Sequence, residues 1–197
     1  MPIQRLAAAA AFLLLLTGCL PVTSSSPVGT TAGLAADPAL FGSWKVVGVP
    51  DQKEAPPVYL HFLKNKDGKM VALYVGASGK ADGKDDGWMA FDCSTAVLGA
   101  NRYLNATATT GSDEDDGLKG RNIPFLYTLM GKTLTILWID DEKAEAAIKA
   151  GEIEGKIEGD KFTDVTLTAA LPALDAFFAK PEAAKLFNVM MVLKKVK

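Results

Sequence analysis

The sequence predicts a mainly β domain, an antiparallel meander that closes into a small β-barrel, with short helices near residues 140–150 and 172–187. Apolar and polar residues alternate along several short segments, which is the pattern of strands with one buried face. Turn residues separate these segments at short intervals, as in consecutive hairpins. Helical spacing of apolar residues occurs only late in the chain. Closure is expected because it removes the exposed edges that an open meander leaves.

Six segments form three consecutive hairpin candidates. Asp67-Gly68 lies in the first turn, where glycine supplies the positive φ that a tight hairpin needs. The second turn is Leu98-Gly99-Ala100-Asn101, and the third is centred on Gly131. The hairpin strands are predicted at residues 58–63, 70–75, 88–97, 102–109, 122–130 and 132–139. An earlier strand is predicted at residues 43–46, where Trp44 and Val46 share one face.

The helices are predicted from their end signals. Asp140 can cap a helix that runs to about Ala150, with Gly151 as its stop. Pro172 and Pro181 each suit a first helical position, which predicts two short helical pieces. Strands are predicted on either side of these two pieces, at residues 162–168 and 189–193.

The first 18 residues are expected to be a signal peptide. Arg5 precedes residues 6–16, which carry only apolar side chains. A membrane-spanning helix needs about 20 apolar residues, so this run fits the core of a signal peptide better. It ends in Leu16-Thr17-Gly18-Cys19, which resembles the lipobox of bacterial lipoproteins. That resemblance implies cleavage before Cys19 and acyl chains on Cys19 that anchor the protein in a membrane.

The same resemblance implies a location. In lipoproteins of Gram-negative bacteria, a residue other than Asp after the cysteine implies export to the outer membrane, and Leu20 stands there. The domain would then face the periplasm. Residues 19–37 are rich in Ser, Thr, Pro, Gly and Ala and are expected to form a flexible tether, with a single domain at residues 38–197.

The residues at the start of the domain carry a second resemblance. Phe41-Gly42-Ser43-Trp44, followed by a meander, a helix and a final strand, resembles the lipocalin family. The resemblance implies an eight-stranded barrel with the Trp at its closed end and a small apolar ligand at its open end. Three features depart from the family. Its Thr-Asp-Tyr turn is missing, Lys194 and Lys195 stand where an Arg stacks on the Trp, and the helix predicted at residues 140–150 is extra.

Composition excludes several classes of function. A formal net charge of −2 offers no concentrated basic face for nucleic acid. One His and two Cys rule out a Cys/His zinc site. His61 is the only imidazole, and its place within a strand favours a packed or surface residue over a catalytic base. The acidic stretches at 82–87 and 113–117 are expected to be solvated loops rather than calcium sites. We therefore expect no enzyme, metal or cofactor.

The two cysteines cannot pair if Cys19 is acylated, which leaves Cys93 as the only free thiol. Cys93 alternates in step with Met89 and Phe91, so it is expected to be a buried apolar residue rather than a reactive thiol.

Five aromatic side chains on predicted strands could line a ligand pocket. They are Trp44, Tyr59, Trp88, Phe91 and Trp138. In a small barrel such residues more often fill the interior as its core. Two functions stay open: a non-enzymatic envelope lipoprotein that binds a small apolar ligand or lipid, and a filled barrel that acts as a protein-interaction module in the cell envelope.

Overall fold

A computed structural model describes residues 21–55, 57–76, 87–111, 120–159 and 163–196. Within these ranges the chain forms eleven strands, two α-helices and one 3-10 helix. The strands are Thr23–Ser24 (β1), Gly42–Gly48 (β2), Val58–Lys64 (β3), Met70–Gly76 (β4), Gly87–Leu98 (β5), Asn101–Gly111 (β6), Asn122–Met130 (β7), Thr133–Ile139 (β8), Gly155–Glu158 (β9), Asp164–Leu167 (β10) and Phe187–Lys195 (β11). The helices are Asp141–Lys149 (α1), Leu171–Phe178 (α2) and the 3-10 helix Pro181–Leu186.

Eight strands close into an antiparallel barrel in the order β2-β3-β4-β5-β6-β7-β8-β11, with β11 returning to β2. The predicted mainly β barrel is therefore confirmed. Its three tight turns contain Gly68, Gly99 and Gly131, whose φ values are +79°, +59° and +60°. These turns lie together at one end of the barrel, which we call the closed end. We call the opposite end the mouth.

The late helices are also confirmed. The Asp140 carboxylate accepts a hydrogen bond of 3.0 Å from the backbone N–H of Lys143 and so caps α1. Helix α2 and the 3-10 helix each begin with a proline in their first turn, as predicted from Pro172 and Pro181. Among the residues that the structure describes, no helix combines the length and the apolar character needed to cross a bilayer.

The barrel wall separates two apolar cores. The inner core fills the closed half of the barrel around Trp44, Phe62 and Leu134, and along β2 and β3 it reaches Val46 and Val58 near the mouth. The outer core lies on the far side of the wall, where α1, α2 and β10 cover the outward side chains of Tyr103 and Leu126. The wall formed by β6, β7 and β8 therefore has apolar partners on both faces.

Residues 21–36, which we call the strap, differ from the expected flexible tether. Within the strap, β1 pairs antiparallel with β7 and parallel with β10. Val22 and Val28 are only 2% and 0% exposed. These two side chains join the outer core, and their burial fixes a segment whose composition otherwise suits a linker. Residues 21–36 thus belong to the folded body, and residues 1–18 and Cys19 lie outside the described ranges.

Two buried polar side chains fasten the strap. Asn105 accepts from the backbone N–H of Val28 at 2.8 Å and donates to its carbonyl at 2.9 Å. Asp175 accepts from the backbone N–H groups of Gly29 and Thr31 at 2.6 and 2.7 Å, and from the Thr31 hydroxyl. Gly29 has a φ of +90°, and a Cβ there would lie 2.0 Å from the Cβ of Ala96. Only glycine fits so close to β5.

Candidate functional site

The closed end is sealed by the segment that leads into β2. Trp44 is fully buried and donates from Nε1 to the carbonyl of Leu40 at 2.7 Å. Lys195 Nζ lies 5.0 Å from the centre of the Trp44 ring and donates to the carbonyl of Ala39 at 3.1 Å. The lysine therefore supplies the cation over the tryptophan ring for which the sequence lacks an arginine. Trp44 plugs the barrel and does not line an open pocket.

A polar contact completes the plug. Asp37 accepts from the Tyr127 hydroxyl at 2.8 Å and from the backbone N–H of Ala39 at 2.9 Å. Arg102 lies 3.4 Å from the same carboxylate. Burial, and then the contact with Asp37, raise the pKa of the Tyr127 phenol, so Tyr127 stays a neutral donor. The plug is thus fixed by hydrogen bonds as well as by packing.

Apolar side chains line the mouth half of the barrel. Along β4, Met70 and Ala72 face the interior and are buried, and Tyr74 continues the same face but is half-buried. In the sheet register Tyr74 lies opposite Met89, and Phe91 lies opposite Ala72. We call six of the inward-facing residues at this end the cup: Tyr74, Met89, Phe91, Ala108, Ile123 and Phe125.

The aromatic side chains of the cup are less covered than the side chains of the closed half, although Ala108 and Ile123 are buried. Tyr74, Phe91 and Phe125 are each half-buried, whereas Trp44 and Leu134 at the closed end are fully buried. Desolvation raises the pKa of the Tyr74 phenol, which places its hydroxyl in an apolar setting. The cup is therefore an apolar surface that solvent still reaches in part.

The structure does not bring the five predicted aromatic residues together. Phe91 lies in the cup, and Trp44 belongs to the plug. Tyr59 and Trp88 lie on the outer face of the barrel, where Tyr59 stacks on His61 with ring centres 6.2 Å apart and Trp88 is 44% exposed. Trp138 is half-buried at the mouth end of β8 and pairs with Phe125 of the cup.

A small cavity of about 100 Å³ lies at the mouth beside Trp138. Pro21 and Asn188 also line it, as does Asp140 at the start of α1. The Asn188 amide donates to Asp140 at 2.5 Å, and Lys143 Nζ donates to the Asn188 carbonyl oxygen at 2.6 Å. These polar groups satisfy one another, so we treat them as the rim of the mouth and not as a binding site for an ion.

Cys93 lies in the barrel interior below the cup. Its Sγ donates weakly to the carbonyl of Phe91 at 3.8 Å. Burial raises the pKa of the thiol to about 12; the charge of Asp92 adds to the rise, and a backbone hydrogen bond from Ala72 opposes it. A thiol that keeps its proton is a poor nucleophile. Cys93 faces the barrel interior as expected, but its side chain is half-buried rather than fully buried.

We expect iodoacetamide to modify Cys93 of the purified protein only after unfolding in guanidinium chloride. Intact mass would show no adduct at pH 8 without denaturant and one with it, and Cys93→Ser would show neither. Because the unfolded thiol loses its proton near pH 9 and the folded thiol near pH 12, its contribution to stability is complete below pH 9 and is lost as the pH rises toward 12. Rapid modification of the folded protein would contradict this placement.

His61 has one partner that sequence reasoning missed. Its Nδ1 lies 2.8 Å from the Ser43 hydroxyl on the neighbouring strand β2. The pair lies on the outer face of the barrel, away from the cup. Among the described residues, no acidic side chain is hydrogen-bonded to His61. A serine–histidine contact without an orienting acid or a cleft gives no hydrolase site.

Metal binding has no support in the described part of the chain, where no group of three or more His, Cys, Asp or Glu side chains could hold an ion. Residues 82–86 and 113–117 of the two acidic stretches lie outside the described ranges.

Comparison with known proteins adds no identification. No family model, no curated protein and no solved structure matches this chain. The functional argument therefore rests on the closed eight-stranded barrel, its apolar cup and the sequence pattern around Cys19.

Proposed function

We propose that this protein is a non-enzymatic envelope lipoprotein that binds a small apolar ligand or lipid in the cup. Acyl chains on Cys19 hold it in a membrane, and its domain faces the periplasm from the outer membrane. The sequence around Cys19 supports the anchor, and the mouth of the barrel supports the ligand. Each part has its own experiment.

The observation that carries the ligand is the incomplete burial of the large cup side chains. Trp44 and Leu134 at the closed end are fully buried, and in the cup the smaller Ala108 and Ile123 are buried as well. The aromatic side chains Tyr74, Phe91 and Phe125 of the cup are only half-buried. Covering exposed apolar surface contributes about 25 cal/mol per Å². A ligand that fits the cup would bury the apolar surface of the cup side chains that the protein itself leaves exposed.

The depth of the cup limits the size of the ligand. From Ala72 to Gly76, β4 rises about 13 Å at roughly 3.3 Å per residue, and strand tilt reduces the height along the barrel axis to about 10 Å. The closed half below is filled by its own side chains. This depth suits a compact apolar molecule or the end of one acyl chain.

The ligand prediction is tested with the fluorescent apolar probe N-phenyl-1-naphthylamine and two variants of adjacent residues on β5. Met89→Lys places a charge in the cup, and we expect it to weaken probe binding at least about tenfold, which corresponds to about 1.4 kcal/mol. Ala90→Lys places the same charge on the opposite face of the strand and should leave binding unchanged. Equal effects of the two variants, or no binding by the wild-type protein, would contradict the proposal.

The protein-interaction module stays as a second candidate because one surface favours it. On the outer face of β3 to β5, Leu63 and Trp88 are 51% and 44% exposed. Between them lie the half-buried outward side chains of β4: Val71, Leu73 and Val75. Apolar side chains grouped on an outer surface are typical of sites that contact another protein. An interaction module with a filled barrel would not bind the probe at the cup, so the same titration separates the two candidates.

A further inference from the structure

If Cys19 carries the anchor as proposed, the strap determines where the barrel lies relative to the membrane. A free chain of 18 residues would have a root-mean-square reach of roughly 25 Å. The strap has no such freedom. It pairs with β7 and β10 near Ser24, is held by Asn105 and Asp175, and bridges Thr95 through Ala35. The chain between Pro21 and the barrel is therefore held at several points along its length.

The start of the strap lies at the mouth. Pro21 lines the cavity at the rim together with Trp138 and Asn188. Trp138 in turn pairs with Phe125, one of the cup residues. Only Leu20 stands between Pro21 and Cys19 in the sequence. Since an extended chain rises at most about 3.6 Å per residue, the Cα atoms of Cys19 and Pro21 are within about 7 Å of each other.

We infer that the strap holds the acylated Cys19 at the rim of the mouth, so that the cup opens at the lipid leaflet and exchanges its apolar ligand with the bilayer. The polar layer on each side of the hydrocarbon core is about 5–8 Å thick, which is comparable to the roughly 7 Å between Cys19 and Pro21. The rim therefore lies in contact with lipid headgroups. An apolar ligand passing from bilayer to cup then crosses little or no bulk water.

The chemistry of the rim suits this position. Trp138 is a half-buried indole, and tryptophan favours the boundary between headgroups and hydrocarbon. Asp140 is engaged by the N-terminus of α1 and by Asn188, and Lys143 is engaged by Asn188. The rim thus carries both signs of charge, and it is the covalent anchor that selects the orientation.

The inference is tested on the acylated full-length mature protein in vesicles of phosphatidylethanolamine and phosphatidylglycerol that carry a headgroup spin label. A fluorophore is attached either through Glu142→Cys, in the exposed first turn of α1 at the rim, or through Lys132→Cys, in the exposed turn at the closed end. Cys93 is half-buried and burial raises the pKa of its thiol to about 12, so at pH 7 it competes little for the label. We expect headgroup quenching at least about threefold stronger at position 142 than at position 132.

A second variant tests the short connection itself. Insertion of twelve Gly and Ser residues between Leu20 and Pro21 should reduce quenching at position 142 to the level at position 132. Protection of Cys93 from alkylation shows that the longer chain is folded. Equal quenching at the two positions without the insertion, or strong quenching at 142 that survives it, overturns the inference while leaving the anchor intact. Failure of the protein to float with vesicles overturns the anchor and the inference with it.

Discussion

Asp175→Ala is expected to lower the free energy of unfolding by about 3 kcal/mol. The carboxylate is 4% exposed and accepts hydrogen bonds from two backbone N–H groups and one hydroxyl of the strap. A hydrogen bond to a charged group contributes about 1.5–3 kcal/mol, and a buried donor left without a partner costs a similar amount. Thr31 is exposed, so water can replace part of what is lost there, and the total is less than three full contributions.

Thermal unfolding measures this effect. In a domain of this size 1 kcal/mol corresponds to roughly 2–4 °C in Tm, so a decrease of about 6–12 °C is expected. Asp67→Asn, in the exposed turn of the first hairpin, is the matched control and should change Tm by less than about 2 °C, since exposed substitutions typically change stability by under 0.5 kcal/mol. A Tm for Asp175→Ala within about 2 °C of wild type would show that the strap does not contribute to the stability of the barrel.

Cys19→Ser is expected to move nearly all of the protein from the membrane fraction to the soluble periplasmic fraction. Several acyl chains together give a stable anchor, and a serine hydroxyl cannot form the thioether that carries them. Cys93→Ser, which removes the other cysteine, is the matched control and should leave the protein in the membrane.

A third variant controls for the signal peptide, because an uncut signal peptide would also hold the Cys19→Ser variant in the membrane. In this chain a cleavable secretory signal replaces residues 1–19 and is followed by Leu20. We expect it to be fully soluble in the periplasm. If it sediments with membranes as the wild-type protein does, the anchor is not at residue 19.

Much of the barrel could be predicted from the sequence because its signals are local. Gly68, Gly99 and Gly131 mark three turns whose backbone needs positive φ, and Asp140 marks the start of α1. The alternation of Cys93 with Phe91 indicated an interior residue, which the register with Met70 bears out. Each of these inferences uses neighbours within a few positions of the chain.

The candidate site was harder to predict because β4, which carries part of it, is apolar on both faces. On β4, Val71, Leu73 and Val75 alternate with Met70, Ala72 and Tyr74, so alternation shows which residues share a face but not which face is inside. Only the closed register places Tyr74 in the cup with Met89 and Phe125. The same ambiguity explains why Tyr59 and Trp88 were assigned to a pocket and lie on the outer face.

The strap was missed for a different reason. Its composition suits a linker, and it is held by partners distant in the sequence: Val28 by Asn105 and Gly29 by Asp175. Contacts between residues so distant in the sequence leave no local pattern from which they could be predicted. Strand β9 was missed in the same way, since its residues Lys156 and Glu158 are polar and exposed and its register is set by pairing with β10.

The central claim is that the folded barrel is fixed to a lipid leaflet through residue 19. Intact-mass spectrometry of the protein extracted from bacterial membranes tests it most directly, with fragmentation of the amino-terminal peptide. The account predicts a chain that begins at Cys19 and carries the added mass of a diacylglycerol and of an amide-linked acyl chain. A first residue other than Cys19, or an unmodified Cys19, would contradict it.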